Sequence, residues 1–325
     1  MKIIILSDPH FASADEKARG DYELRVVPAG PLRLLVHAYR HYVWMRNPFG
    51  NNVLLERFLA EAGPADWVIV NGDLSCDSAF VGVSDDAAFA SARLCLEALR
   101  EKYGHRLLAV MGDHELGKTS IFGGVGGPRL ASWQRAVKDL RIPPCWRQDL
   151  GRYTLLSVTS SLVALPVFAP ELLPEERAGW EALREAHLRE LERMVSSLPA
   201  GQRIILFSHD PTALPFLAQE GFIQRRLGQI EQTVIGHLHS ETMLWKTRWL
   251  SGFPPIPFLG NTVRRYSTAL ARAKAWKPFR VRLCPALTGV EWRQDGGWLE
   301  LELDPDGRAP LTWRFRPLCR GRQEG

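Results

Sequence analysis

An α/β fold is what this chain of 325 residues predicts, on three observations. Short apolar runs rich in β-branched residues recur along it, stretches with helical periodicity separate several of them, and each run gives way at once to polar residues. Continuous apolar runs of that length read as strands buried on both faces, and their alternation with helices argues for an α/β architecture.

The elements follow in order. "KIIILSDPH" is the first strand and reaches Asp8 and His10; "WVIVNGD" is the second and reaches Asp73. "RLLAVMGDH" ends on Asp113 and His114, whereas "YTLLSVTSS" ends on hydroxyls alone. "RIILFSHD" leads to His209, and "TVIGHLH" to His237 and His239. Helical patterns cover 52–62, 85–103, 129–140 and 174–198. The last opens on Pro174 with Glu175 and Glu176 in its first turn and stops at Pro199; its Leu183, Leu188, Leu191 and Met194 form a stripe for core packing. Beyond residue 255, "FRVRLCPAL" and "GVEWRQDGGWLELELD" predict late strands with a Gly-Gly hairpin. The expected organisation is one domain over 1–305, with a basic amphipathic insertion near 20–50, a basic aromatic segment at 242–290, and a tail at 306–325 that frays from Arg314 onward.

Composition narrows the class. Hydrophobic residues make up 46% of the chain and charged residues 24%, which suits a globular protein with a sizeable core and excludes a disordered one. Asp8 cuts the first apolar run far short of a signal peptide and no other run reaches membrane-spanning length, so a cytoplasmic protein is expected. Cys76, Cys95, Cys145, Cys284 and Cys319 are odd in number and contain no C-x-x-C pair, which argues for reduced, mostly buried thiols. A net charge of +5 leans toward anionic partners.

Five of the six runs therefore end in residues able to bind metal. Side chains at the carboxyl ends of strands converge on one crevice, so these residues are expected to meet. Two divalent ions held close together need a carboxylate able to bridge them, with imidazoles and carboxylates completing each shell. In Asp8-Pro9-His10 and His237-Leu238-His239, the i, i+2 spacing lets two ligands approach one centre. Ser208-His209-Asp210 is not a triad, because consecutive strand residues point to opposite faces.

The order D-x-H, G-D, G-[ND]-H-[DE], H, G-H-x-H resembles the calcineurin-like metallophosphoesterase superfamily over residues 3–239. The resemblance implies a four-layer α/β/β/α sandwich of two central mixed sheets flanked by helices. It also implies hydrolysis of a phosphomonoester or phosphodiester, nucleotide- and lipid-linked phosphates included, with two divalent ions drawn from Mn, Fe and Zn. Asp8, His10, Asp73 and His239 would bind one ion, and Asp73, Asp113, His209 and His237 the other, with Asp73 as the bridge. His114 would stabilise or protonate the leaving oxygen, Glu115 would orient His114, and a hydroxide bridging the ions would attack. Asp113 stands where this motif usually carries asparagine. It remains an oxygen ligand, but its extra charge should hold the second ion more tightly and make the pair a weaker electrophile. A nuclease of the same superfamily and a non-catalytic metal-binding interaction module are the rival readings.

Gly112, Gly117, Lys118 and Thr119 also match the P-loop pattern G-x-x-x-x-G-K-[ST]. A P-loop needs a helix N-terminus directly behind it, whereas "SIFGGVGGP" follows here, and Asp113 and Glu115 would face a polyphosphate. The match is read as accidental, with Lys118 on the surface or in contact with a phosphate beside the metals. The glycines at 123, 124, 126 and 127 make a turn or a lid.

Two segments bear on substrate choice. In "PLRLLVHAYRHYVWMRNPF", a helix would place Arg33, His37, Arg40 and His41 on one face and Leu32, Leu35, Val36, Tyr39 and Val43 on the other. It forms either a cap that presents cations to an anionic substrate or a surface helix with a solvated basic face. From 242 to 290 there is no Asp or Glu, while nine Lys and Arg residues alternate with Trp245, Trp249, Tyr266, Trp276 and Phe279. That mixture suits a nucleotide, nucleic acid or an anionic membrane surface, and equally a solvated face above core tryptophans.

Overall fold

The computed structural model describes residues 1–20, 22–27, 30–120, 124–256 and 261–318. Every apolar run becomes a strand: β1 (Lys2–Leu6), β2 (Trp67–Asn71), β3 (Leu107–Val110), β5 (Tyr153–Val158), β6 (Arg203–Ser208) and β7 (Ile230–Ile235). They are joined by β4 (Arg147–Leu150), β8 (Val281–Leu283), β9 (Gly297–Glu302) and β10 (Thr312–Pro317). The strands form two sheets of five, ordered β10-β9-β1-β2-β3 and β4-β5-β6-β7-β8. Strands β1 to β3 are parallel and β9 and β10 add an antiparallel edge; β5 to β8 are parallel and β4 is the antiparallel edge.

The reason the runs are apolar without alternation is visible in the packing. Ile3 and Ile5 face a core shared with Leu155, Ile205, Phe207 and Val234 of the second sheet. Ile4 and Leu6 point the other way and pack with Leu54, Phe58, Leu96 and Leu99. The second sheet repeats the scheme, its outer face meeting Leu191 and Val195. The longer α-helices are α1 (Pro31–Tyr39), α2 (Asn52–Glu61), α3 (Asp86–Tyr103), α4 (Leu130–Lys138), α5 (Arg177–Ser196), α6 (Glu241–Trp249) and α7 (Asn261–Arg272). The result is the expected sandwich of two mixed sheets between helical layers. No helix among the described residues is long and apolar enough to cross a membrane.

Several expectations change. Gly296 and Gly297 do not turn a hairpin: β8 lies in one sheet and β9 in the other, and β9 makes its hairpin with β10. The polypeptide is not frayed from Arg314, since Arg314 and Phe315 pair with Glu300 and Leu299 in the β10 edge; residues 319–325 lie outside the described part. β4 was not expected because "RQDL" has no apolar run; it is held as a hairpin edge on β5. In α5 the buried seam runs Trp180, His187, Leu191 and Val195, while the expected Leu183, Leu188 and Met194 pack half-buried against the cores; His187 was not foreseen. Cys76, Cys95, Cys145 and Cys284 are free and buried; Cys319 lies outside the described residues.

Candidate metal centre

Both sheets deliver their parallel carboxyl ends to one edge of the sandwich, and the sequence-predicted residues meet there. The chain turns sharply at that edge. Asp8, His10, Asp73, His237 and His239 all adopt left-handed backbone, with φ between 43° and 60°. Asp and His tolerate this conformation better than most residues, and such strain concentrates at functional sites. Gly72 is required between β2 and Asp73: its φ is 86°, and a Cβ there would lie 2.5 Å from His209 Nδ1. At Gly236 a Cβ would strike Ser7 Oγ and Asp8.

Hydrogen bonds to carbonyls fix the imidazoles. A carbonyl only accepts, so His209 Nδ1 donates to Asn71 O at 2.6 Å and Nε2 is left facing Asp73 Oδ2 at 3.1 Å and Asp113 Oδ1 at 3.4 Å. Ser75 O takes Nδ1 of both His114 and His10, at 2.9 Å and 3.2 Å. His10 Nε2 then lies 3.3 Å from His239 Nε2, and His239 Nε2 lies 3.5 Å from Asp8 Oδ1. His237 Nδ1 sits 3.1 Å from Asp113 Oδ1. Asp73, Asp113, His209 and His237 thus form one group of mutually close donors and Asp8, His10 and His239 another, with Asp73 also close to His10 and His114.

This donor set fits divalent cations. Two imidazole nitrogens facing each other, and a buried Nε2 of His209 with no hydrogen-bond partner among the described residues, gain from a shared cation what they lose by burial. Charge agrees. Burial works against ionising Asp73 and Asp113, yet His114 and His209 beside the first, and His237 and His209 beside the second, hold both well below the usual carboxylate range. Burial also works against charge on His209 and His237, but Asp73 and Asp8 raise the former and Asp113 and Asp210 raise the latter to about 9. Burial lifts Asp8 to about 7. It lowers His10 to about 4 and His114 to about 3, so both rings offer lone pairs.

Glu115 does not orient His114. Its carboxylate is fully buried and accepts the backbone N–H groups of Leu74 at 2.8 Å, Gly112 at 2.8 Å and Asp73 at 3.0 Å, tying the β2 and β3 turns together. Orientation of His114 comes from Ser75 O, a contact invisible to motif reading because it is made by backbone. The P-loop match fails as well. The short helix Asp113–Leu116 precedes Gly117 rather than following it; Lys118 N–H donates to Asp77 and Thr119 Oγ1 to Glu171. In the glycine-rich stretch Gly126 pairs with Thr119 in an isolated bridge; Gly123 lies outside the described residues.

Two contacts escaped the sequence. Asp210 Oδ2 lies 4.0 Å from His237 Nε2, and its position directly after His209 was the available signal. The ring of Trp44 stacks on His239 with centroids 4.7 Å apart. Trp44 ends a wide helical turn, Arg40–Trp44, continuing α1, which places the predicted cap segment against the centre. Of the four predicted cations, Arg40 alone lines the cavity. Arg33 and His37 are exposed, while Tyr39, Val43 and Trp44 line the cavity together with Arg40. The face expected to pack inward is largely open, with Leu32 at 47% and Leu35 at 69% exposure. In the later segment, Trp276 and Phe279 are core, and Trp245 and Trp249 are exposed.

A solved structure of a dimetal phosphatase from Danio rerio superposes with a TM-score of 0.52 at 12% identity, covering 98% of this chain and 96% of that one. A metallophosphoesterase from Sphaerobacter thermophilus is 13% identical over 97% of this chain and 87% of its own, with a TM-score of 0.33. No curated protein sequence matches. The family model for calcineurin-like phosphoesterases matches residues 1–241, a span that holds every donor of the cluster. The chain belongs to the calcineurin-like phosphoesterase family, whose members are metal-dependent phosphoester hydrolases.

Proposed function

We propose that the protein hydrolyses phosphate esters at two divalent ions, one held by Asp8, His10 and His239 and the other by Asp113, His209 and His237, with Asp73 shared between them. One observation carries this: side chains from five strand ends direct their donors into a single buried volume, where His10 Nε2 and His239 Nε2 lie 3.3 Å apart. Manganese, iron and zinc all suit the mixed imidazole and carboxylate donors. Once bound, such a pair supplies Lewis acidity toward the phosphoryl oxygens and a water acidic enough to attack near neutral pH.

The protein's own residues do the rest. Carbonyls of Asn71 and Ser75 fix the tautomers and ring planes of His209, His10 and His114. His114 stands 3.6 Å from Asp73 and lines the cavity; with Nδ1 committed to Ser75 O, Nε2 is the atom that passes a proton to the leaving oxygen. A phosphate dianion arriving beside that ring favours its protonation, against the burial that lowers it in the protein alone. The cavity above the centre is lined mainly by apolar and aromatic side chains, which speaks for a small ester rather than a nuclease's strand.

The test is metal analysis together with a panel of phosphomonoesters and phosphodiesters, on wild type and on His114→Ala. Two ions per chain and a kcat lowered by about 10²- to 10⁴-fold in the variant, with metal content unchanged, is the expected result. Stoichiometric metal without turnover of any activated ester would return the protein to the interaction-module reading.

A further inference from the structure

We propose that the substrate is a phosphate ester of an apolar alcohol, with Arg265 pairing with the phosphate beside the metals and the hydrocarbon or ring filling the chamber above them. The inference rests on the phosphoesterase reading for where the phosphate sits, and it goes on to name the other half of the molecule.

The chamber holds about 570 Å³. One wall is Tyr39, Val43 and Trp44, from α1 and the wide turn after it; the other is Met243, Ala269 and Trp276, from α6, α7 and the turn that follows. Arg40, Lys118, Thr119, Lys246 and Thr247 also line the chamber, but between these apolar walls an alkyl or aromatic group gains from leaving water, whereas a sugar or nucleoside gives up hydrogen bonds that the walls themselves do not replace. Leu32, Leu35 and Tyr39 follow one another along a single face of α1, all exposed, so an apolar track leads from the surface to the mouth.

The polar end is equally specific. Arg265 lines the chamber on α7, outside the residues that match the family, with its guanidinium over the Phe168 ring at 5.3 Å and Nη1 3.8 Å from Glu171 Oε2. Nη1 makes no hydrogen bond among the described residues. Glu171 is also paired with Arg264 and accepts from Thr119 Oγ1, so one carboxylate balances two guanidiniums and leaves a positive charge facing the centre. A planar guanidinium with a donor to spare suits a phosphate oxygen.

The experiment titrates the manganese-loaded full-length protein with methyl-, butyl- and octylphosphonate by calorimetry. Affinity should tighten by about two- to fourfold per methylene over the first carbons, the gain expected for moving a methylene out of water. Ala269→Trp should collapse the octyl-to-methyl ratio, and Arg265→Met should weaken all three ligands by a common factor of about ten. A flat series in the wild type overturns the proposal, as does unchanged methylphosphonate binding in Arg265→Met; the first result needs no variant to fold. Turnover of the matching alkyl phosphates is scored separately. A chain-length gain in binding without turnover of any ester upholds the chamber and sinks the phosphoesterase reading, while turnover without the gain does the reverse. Monomeric octyl phosphate and dioleoylphosphatidic acid in phosphatidylcholine vesicles separate a water-borne from a membrane-borne source; hydrolysis of either that is lost in Ala269→Trp supports the chamber, and hydrolysis unaffected there overturns it.

Discussion

Asp113 carries a charge where the motif usually has a neutral amide, and the structure shows what that charge meets. Its Oδ1 is 3.1 Å from His237 and 3.4 Å from His209, two rings that burial alone would keep neutral. Asp113→Asn keeps an oxygen in the same place, so it should retain both metals and activity; elemental analysis and a phosphatase assay check this, and loss of metal would count against the ligand assignment. The same pairing makes metals compete with protons. His237 titrates near 9 because Asp113 and Asp210 outweigh its burial, so at lower pH an incoming ion must displace that proton. Metal affinity measured with a buffered indicator should therefore rise as pH climbs toward about 9, as His237 gives up its proton. The donors themselves were legible in the sequence because each sits within four residues of a strand end. Glu115 was misjudged because its partners are backbone N–H groups from the neighbouring turn, which no side-chain pattern announces.

Among the elements, α5 carries an unexpected titratable group. His187 is buried against the second sheet, where its Nε2 accepts the Thr159 N–H at 3.2 Å. Burial lowers its pKa to about 4, below the value of about 6.5 for an unfolded histidine. In that window the unfolded chain binds the extra proton, so stability is full above pH 6.5 and falls as pH drops toward 4, by up to about 3 kcal/mol. His187→Gln keeps an acceptor for Thr159 and removes the titration, so its urea stability should change less between pH 7 and 4.5 than that of the wild type. The sequence foresaw this helix within a few residues and its packing leucines but missed His187, because a leucine beside a histidine is the natural choice for the core. Edge strands fared worse. β4 (RQDL) and β10 (TWRFRP) interleave charged residues, and β10 is largely exposed, so they lack the continuous apolar signal that betrays a central strand.

At the scale of the molecule, the centre stitches the two sheets together: Asp8, Asp73 and Asp113 come from one and His209, His237 and His239 from the other. Ions bound by donors from both halves stabilise only the folded arrangement, so removing them with a chelator should lower the thermal midpoint, and adding them back should restore it in proportion to the logarithm of free metal. An unchanged midpoint would mean that the centre forms without them. The strands and their alternation with helices were foreseeable from the apolar runs, and the pairing of two sheets from the family resemblance. The chamber was not, because Val43, Met243 and Trp276 look like core residues in a sequence whether they face another side chain or a cavity.

The left-handed turns at Asp8, His10, Asp73, His237 and His239 restrict the mutational alphabet of the centre twice over. Each position must supply a donor atom and also tolerate a backbone that a branched side chain resists, which leaves asparagine and glycine as the exchanges least disruptive to the fold. An aspartate-to-asparagine change at Asp8 or Asp73 therefore removes a charge while sparing the path of the chain, whereas a valine would take down the loop along with the ligand, and an assay would report the two losses as one.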